Sequence, residues 1–238
     1  MSLNELIQVW QEVKDDAEHF CFVSADETLQ ARALANIETL IAHMDAVLEN
    51  AIRDSDQPDH IADSVFCLIT SVKGVRAELK MWTAIRSGDY ERAWDHLITA
   101  QGCCEFLLGR KEITRADRRL RMLLCLERIL FPPQMFMSPG VVGQCKCTIC
   151  GQDPQSCDHI KGRLYRGKLC RHEVTSVDWM EVSLTFFPAD KRRRILSYSS
   201  DAGPIDKLTN GPKRPEPANT PDATRESTRS LLDASISP

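Results

Sequence analysis

Between positions 145 and 170 the chain reads CKCTICGQDPQSCDHIKGRLYRGKLC, and nothing else in its 238 residues restricts the fold so tightly. Two cysteines separated by two residues, Cys147 and Cys150, let one tight turn aim both thiolates at a single point. Gly151 follows the second cysteine, where such a knuckle wants a residue tolerant of positive φ. Cys157 and His159 then supply a second pair across a short loop. Four soft or borderline donors in this arrangement suit one tetrahedral zinc ion. With every position filled by protein, no place remains for an activated water, so the expected zinc is structural, one per chain. Cys145, Cys170 and His172 lie close enough in sequence that one of them can replace a member of the quartet. A redox CxxC is the competing reading, but it would sit at a helix N-terminus after a strand, which the flanking residues do not suggest.

The ten cysteines divide accordingly. Cys21, Cys67, Cys103, Cys104 and Cys125 are scattered, whereas the other five crowd into the window above. The start, MSLNELIQVWQEVKDD, has neither the basic beginning nor the small-residue cleavage site of a secretory signal, and no apolar run approaches the ~20 residues of a membrane span. A soluble, cytoplasmic protein with reduced thiols is expected. The net charge of -4 hides an asymmetry: acidic residues prevail before position 145, and basic ones between 145 and 198.

Before that window the periodicity is helical. Leu3, Leu6, Ile7, Trp10 and Val13 mark a first helix over 3–20, and Ser24 with Glu27 forms a capping box for a second. Its stripe runs from Leu29 through Ile37, Leu40, Ile41, Met44, Val47 and Leu48 to Ile52, where Asp54 to Pro58 interrupt it. A third helix runs from Asp59 to Arg86, with Gly74 as its weak point. A fourth starts after Gly88. There Ala93 permits close approach to the third, while Tyr90, Trp94, Leu97 and Ile98 fill the contact. This hairpin is similar to the turn and second helix of a tetratricopeptide unit, but no second copy follows at the expected period of about 34 residues. A fifth helix spans Thr114, as its cap, to Phe131, and Pro132 and Pro133 stop it.

From Ser138 glycines, cysteines and short alternating runs take over. Arg163 to Leu169 reads as a hairpin turning at Arg166 and Gly167, and Trp179 to Phe187 alternates Met180, Val182, Leu184 and Phe186 against polar residues, as a half-buried strand does. Beyond Lys191-Arg192-Arg193-Arg194, residues 199–238 are rich in Pro, Ser, Thr and Asn and are expected to be disordered, apart from a brief helix near Leu231. The fold expected is therefore mainly α: an antiparallel helical bundle over 1–137, a zinc knuckle with a small β element over 138–198, and a disordered tail over 199–238.

The residues Cys147-x-Ile149-Cys150-Gly151, Cys157-x-His159, Gly162, Tyr165, Gly167 and Cys170 resemble a small zinc module of phage-related and bacterial proteins, some of them prohead maturation proteases. Glu181-Val182-Ser183-Leu184 and Pro188-Ala189 extend the likeness to about residue 195. The helical half is unlike the β-rich protease core, so the family's catalytic Ser and His have no counterpart here. The resemblance implies a shared module, not a shared activity.

Two basic stretches, Arg115, Arg118, Arg119, Arg121 and Arg128 on the fifth helix and Lys191 to Arg194 after the strand, are candidate phosphate contacts, although no aromatic platform is interleaved with them. As solvated helix face and strand gatekeeper they have a simpler explanation. His19, His43, His60 and His96 read as surface or cap residues, Cys103 and Cys104 as core packing, and Trp10, Trp82 and Trp94 as core anchors. No Walker loop, dinucleotide fingerprint, GxSxG or HExxH occurs. The expectation is a non-catalytic zinc-binding scaffold or adaptor for a protein partner. A nucleic-acid-binding accessory protein and a maturation factor related to prohead proteases stand as alternatives.

Overall fold

The computed structural model describes residues 3–110 and 115–213. Five helices make up the first half: α1 (Leu3–Glu18), α2 (Glu27–Arg53), α3 (Asp59–Ser87), α4 (Tyr90–Leu108) and α5 (Ala116–Leu130). The protein is mainly α, as the periodicity indicates. The cap of α2 falls two residues later than expected, on Asp26, whose Oδ1 accepts from the Thr28 and Leu29 amides at 2.9 and 3.0 Å. A carboxylate is the better acceptor there, since it also meets the positive end of the helix dipole. The expected cap of α5, Thr114, lies outside the described residues.

α3 is central. One side packs with α1 and α2 through Trp10, Ile37, Met44, Val65, Leu68 and Val72, and another packs with α4 and α5 through Met81, Trp94, Leu97, Phe106 and Leu123. A helix buried on several sides shows little amphipathic stripe, which matches its sequence. Trp10 is fixed in this interior by its indole N–H, which donates to Ser71 Oγ at 3.0 Å. Gly74 is not a break. A Cβ at that position would stand 3.1 Å from Cys103 Cβ, so the glycine admits α4 closely, and the helix runs through it. Ala93 and Trp94 are buried as expected, whereas Tyr90 stays at the surface.

Six strands follow: β1 (Phe136–Cys147), β2 (Leu164–Tyr165), β3 (Lys168–Leu169), β4 (His172–Thr185), β5 (Ser197–Ser200) and β6 (Gly203–Asp206), in three antiparallel pairs β1–β4, β2–β3 and β5–β6. The β2–β3 hairpin turns at Arg166 and Gly167, with φ of 51° and 69°, the two left-handed residues that a two-residue primed turn requires. β1 and β4 form a long ribbon in register from Phe136↔Thr185 to Cys147↔His172, with irregularities at Gly140/Val141 and Gln144/Cys145. At ~3.4 Å per residue it spans about 40 Å. Gly143 is required in it, because a Cβ there would lie 2.1 Å from the Ser176 carbonyl oxygen.

Two expectations for this half need correction. β4 is not half-buried: Trp179, Val182 and Leu184 are 69%, 61% and 65% exposed. The alternation is real, but among the described residues nothing packs on its apolar side. The segment after 198 is also not uniformly without structure. Residues 197–206 form the β5–β6 hairpin, and Leu208 is buried in the core with Trp94, Phe131 and Phe136. One well-placed leucine outweighs a polar composition. Residues 214–238, including Leu231, lie outside the described part.

Both ends of the ribbon are tied to the helices. At one end Phe136 packs on Trp94, whose indole N–H donates to the Lys191 carbonyl at 2.9 Å. At the other, the β2–β3 hairpin sits on α2 and α3. There the Gly167 amide donates to Asp63 Oδ1 at 2.7 Å, the Arg166 guanidinium donates to the carbonyls of Ile52 and Asp54, and that of Arg110 donates to the Gly162 carbonyl.

Candidate metal centre

The last residue of β1, Cys147, is buried, and the chain turns immediately after it. The Gly151 amide donates to the Cys147 carbonyl at 2.8 Å, with Gly151 at φ 74°, so the glycine takes the conformation for which the spacing selected it. The Ile149 amide points at Cys147 Sγ at 3.4 Å. The return limb is set by Asp153, which caps the short 3-10 turn Pro154–Ser156 by accepting from the Gln155 amide at 2.8 Å. Cys157 and His159 come next, in extended chain.

The four donor atoms of Cys147, Cys150, Cys157 and His159 all lie within 4.8 Å of one another. Around a zinc-sized ion, with metal–sulfur bonds of ~2.3 Å, tetrahedral sulfurs stand about 3.8 Å apart, so modest contraction closes the quartet on an ion. His159 Nδ1 is buried and has no hydrogen-bond partner among the described residues. A buried imidazole nitrogen with no hydrogen-bond partner among the described residues, on a residue grouped with three thiols, fits a metal-ligating histidine. The ring is braced edge-on by Tyr165 at 4.6 Å, and the Tyr165 hydroxyl accepts from the Ile160 amide at 2.8 Å. Sequence reasoning included Tyr165 in a motif but did not foresee its bracing role.

The thiols are not equivalent. Burial works against a thiolate at Cys147, but the amides of Cys150 and Ile149 and the neighbouring thiols outweigh it and bring its pKa down to about 6. Burial and the adjacent Cys147 push Cys170 up to about 11. Cys170 packs its sulfur 3.7 Å from that of Cys147 and stands beside the quartet. Cys145 is on β1 opposite Val174, and His172 opposite Cys147; neither joins the four-residue group. The cluster can therefore hold a metal ion through the four residues that the spacing singles out.

The basic candidates end in different surroundings. On α5, Arg115, Arg118 and Arg121 are exposed, Arg121 beside Asp117. Arg119 turns inward, at 2.5 Å from Glu18 and 2.6 Å from Glu78. Lys191 pairs with Glu127 at 2.7 Å, Arg192 reaches Asp190 and Thr99, and Arg194 is buried near Glu91, leaving Arg193 exposed. Arg119, Lys191, Arg192 and Arg194 are thus engaged with neighbouring groups rather than arrayed for phosphates, while Arg128 is exposed like Arg115 and Arg118. His96 is partly buried: burial first, then Lys80, Arg92 and Arg76, lower its pKa to about 4.

Sequence reasoning missed the ion cluster around Glu78, a carboxylate with no solvent exposure in the middle of α3. It borders a cleft of about 630 Å³ that Lys14, Glu18, Cys21, Arg115 and Arg119 also line. Nothing in the local sequence signals it, because Glu78 lies between Arg76 and Lys80 and reads as an ordinary surface charge. No helix among the described residues is long and apolar enough to cross a membrane. Compared with family models, curated proteins and solved structures, the chain matches none of them.

Proposed function

We propose that the protein is a non-catalytic scaffold, stabilised by one structural zinc ion, that presents the β1–β4 ribbon to a protein partner. The observation that carries this reading is the apolar face of the ribbon, on which nothing packs among the described residues. Register places Met137 with Leu184, Pro139 with Val182, Val141 with Trp179, Gly143 with Val177 and Cys145 with Val174 on one side. Ser138 with Ser183, Val142 with Asp178, Gln144 with Ser176 and Lys146 with Glu173 fall on the other. Exposed contiguous apolar surface of this kind marks interaction sites. The Cys3His donor set supports zinc, because three thiolates and an imidazole in a closed tetrahedron suit it better than harder or redox-active ions.

Similarity of the module at 147–195 to that of prohead-protease-like proteins would place the partner in a phage-related or bacterial assembly. A nucleic-acid role has less support, since Arg119, Lys191, Arg192 and Arg194 are engaged internally. The test has two arms. Elemental analysis of protein purified under reducing, non-chelating conditions should return about one zinc per chain, and Cys150→Ser with Cys157→Ser should abolish it. Affinity capture from the native host should recover a protein with the wild type and lose it with Val182→Lys and Leu184→Lys. Zinc-free protein, or identical recovery with both forms, would sink the proposal.

A further inference from the structure

The apolar face of the ribbon is large, uncharged and graded in size. Met137, Val141, Val174, Val177, Trp179, Val182 and Leu184 are between 41% and 69% exposed, as is Met180 at the bulge. At these exposures the eight side chains offer roughly 800 Å², the share each partner contributes to a standard protein interface. That exceeds the ~300–600 Å² of the largest apolar patch on a typical monomer.

Resting on the reading of this face as a protein-docking surface, we infer that its occupant is a second copy of the chain, ribbon against ribbon about a two-fold axis. Three features favour that partner. An isolated two-stranded ribbon is marginal in water and gains stability when another β layer covers it at a spacing of ~10 Å. A partner with a β face of matching length covers the whole ~40 Å, and a second copy carries one. The face bears no charged side chain, so a self-contact sets no like charges against each other.

A fourth feature is size. The midpoint of the ribbon is the Val141–Trp179 pair, and the half at the Phe136 end is bulky, with Met137, Met180, Val182 and Leu184. The half nearer the metal centre is slim, with Gly143, Cys145, Val174 and Val177. A two-fold axis across the strands at the midpoint lays the bulky half of each copy on the slim half of the other, with the two Trp179 rings near the centre. Such isologous packing satisfies both halves at once. A lipid surface is disfavoured, because the polar side carries Glu173, Asp178 and Glu181 against Lys146, whereas membrane-surface elements carry a basic polar face.

The test is sedimentation of the full, zinc-loaded chain between about 1 and 100 µM. The expected mass is that of two 26.9 kDa chains. Val182→Lys with Leu184→Lys should give a monomer, weakening association at least about 100-fold, since a dimer would have to bury these charges unpaired. Ser183→Lys, on the opposite side, should stay dimeric. These positions are exposed in the single chain, so helix content and zinc content should be unchanged. Trp179→Glu serves as a second disrupting variant. A monomer at every concentration overturns the inference, as does a dimer that survives these substitutions. A monomer that holds a host protein through the same face overturns the inference and leaves the docking reading intact. A monomer that instead sediments with phosphatidylcholine–phosphatidylserine vesicles, unless the lysine variant is used, overturns both.

Discussion

Arg119→Ala tests the electrostatic reading of the helical half. Arg119 stands 2.6 Å from Glu78, which has no solvent exposure, and 2.5 Å from Glu18, which is 31% exposed and also paired with Lys14 at 2.6 Å. Neither Glu78 oxygen receives a well-directed hydrogen bond among the described residues, so the guanidinium is its main compensation. Removing one partner of a buried pair costs about 3–5 kcal/mol, because the other charge is stranded. The Glu18 contact, nearer solvent and backed by Lys14, adds at most about 1 kcal/mol. A loss near 4 kcal/mol is a large part of the 5–15 kcal/mol that holds a typical domain together.

Burial raises the pKa of the Glu78 carboxyl above its ordinary value, while Arg119 pulls it back. Without Arg119 it rises further. The folded chain then keeps a proton that the unfolded chain releases above about pH 4.3, so folded stability falls as pH rises through that window. The deficit of Arg119→Ala should therefore be full near pH 7 and shrink towards about pH 4. Urea unfolding followed by far-ultraviolet circular dichroism measures it, with wild type and variant compared at each pH. Adding Glu78→Gln should recover most of the loss, since a neutral amide is cheaper to bury than a stranded carboxylate. A deficit under about 1 kcal/mol at neutral pH, or one that does not change with pH, would refute the reasoning.

Chelation of the zinc-loaded chain should abolish ordered structure over 147–170 while the helical dichroism of α1–α5 persists; collapse of both together would show that the helices depend on the metal. His96 has its pKa lowered to about 4 by burial, so it contributes stability that is full above about pH 6.5 and lost as pH falls towards 4, on the order of 3 kcal/mol. His96→Gln should flatten that acid limb, and an unchanged slope would show that His96 does not cause it. Gly167→Ala forces a side chain into φ 69° with its Cβ 2.7 Å from Leu48 Cδ1 and 3.1 Å from Ala62 Cβ. It should cost about 1–3 kcal/mol in a melt and loosen exchange protection across β2–β3, and a neutral result would mean that the hairpin is not seated on α2 and α3.

What was legible in the sequence was local. The stripes through Leu29 to Ile52 and Asp59 to Arg86 each lie within one helix, and the knuckle and the Arg166–Gly167 turn are set by residues a few positions apart. The ribbon was only half legible. Val174 to Leu184 shows its alternation, but β1 carries Pro139, Gly140 and Gly143 and does not read as a strand. The need for Gly143 comes from Ser176, 33 positions away. Alternation reveals that one face is apolar, but it does not reveal whether the same chain covers it, and here the described residues do not. The cluster of Glu18, Glu78 and Arg119 was hidden for a similar reason. Each member looks like an ordinary surface charge on its own helix, and only the packing of α1, α3 and α5 turns them towards one another.

The metal centre and the ribbon are best understood as one device. A two-stranded ribbon specifies its register weakly, and a slip of one residue would send every apolar side chain to the opposite face. Both ends of β1 are therefore decisive. Phe136 is held by Trp94 and Phe131, and Cys147 is the first member of the quartet, in register with His172. A metal closing on Cys147, Cys150, Cys157 and His159 would fix the far end as firmly as the aromatic cluster fixes the near one. With both ends pinned, the two irregularities between them have one solution, in which Val141, Trp179, Val182 and Leu184 share a face. A structural ion without catalytic chemistry can in this way decide which surface the protein offers.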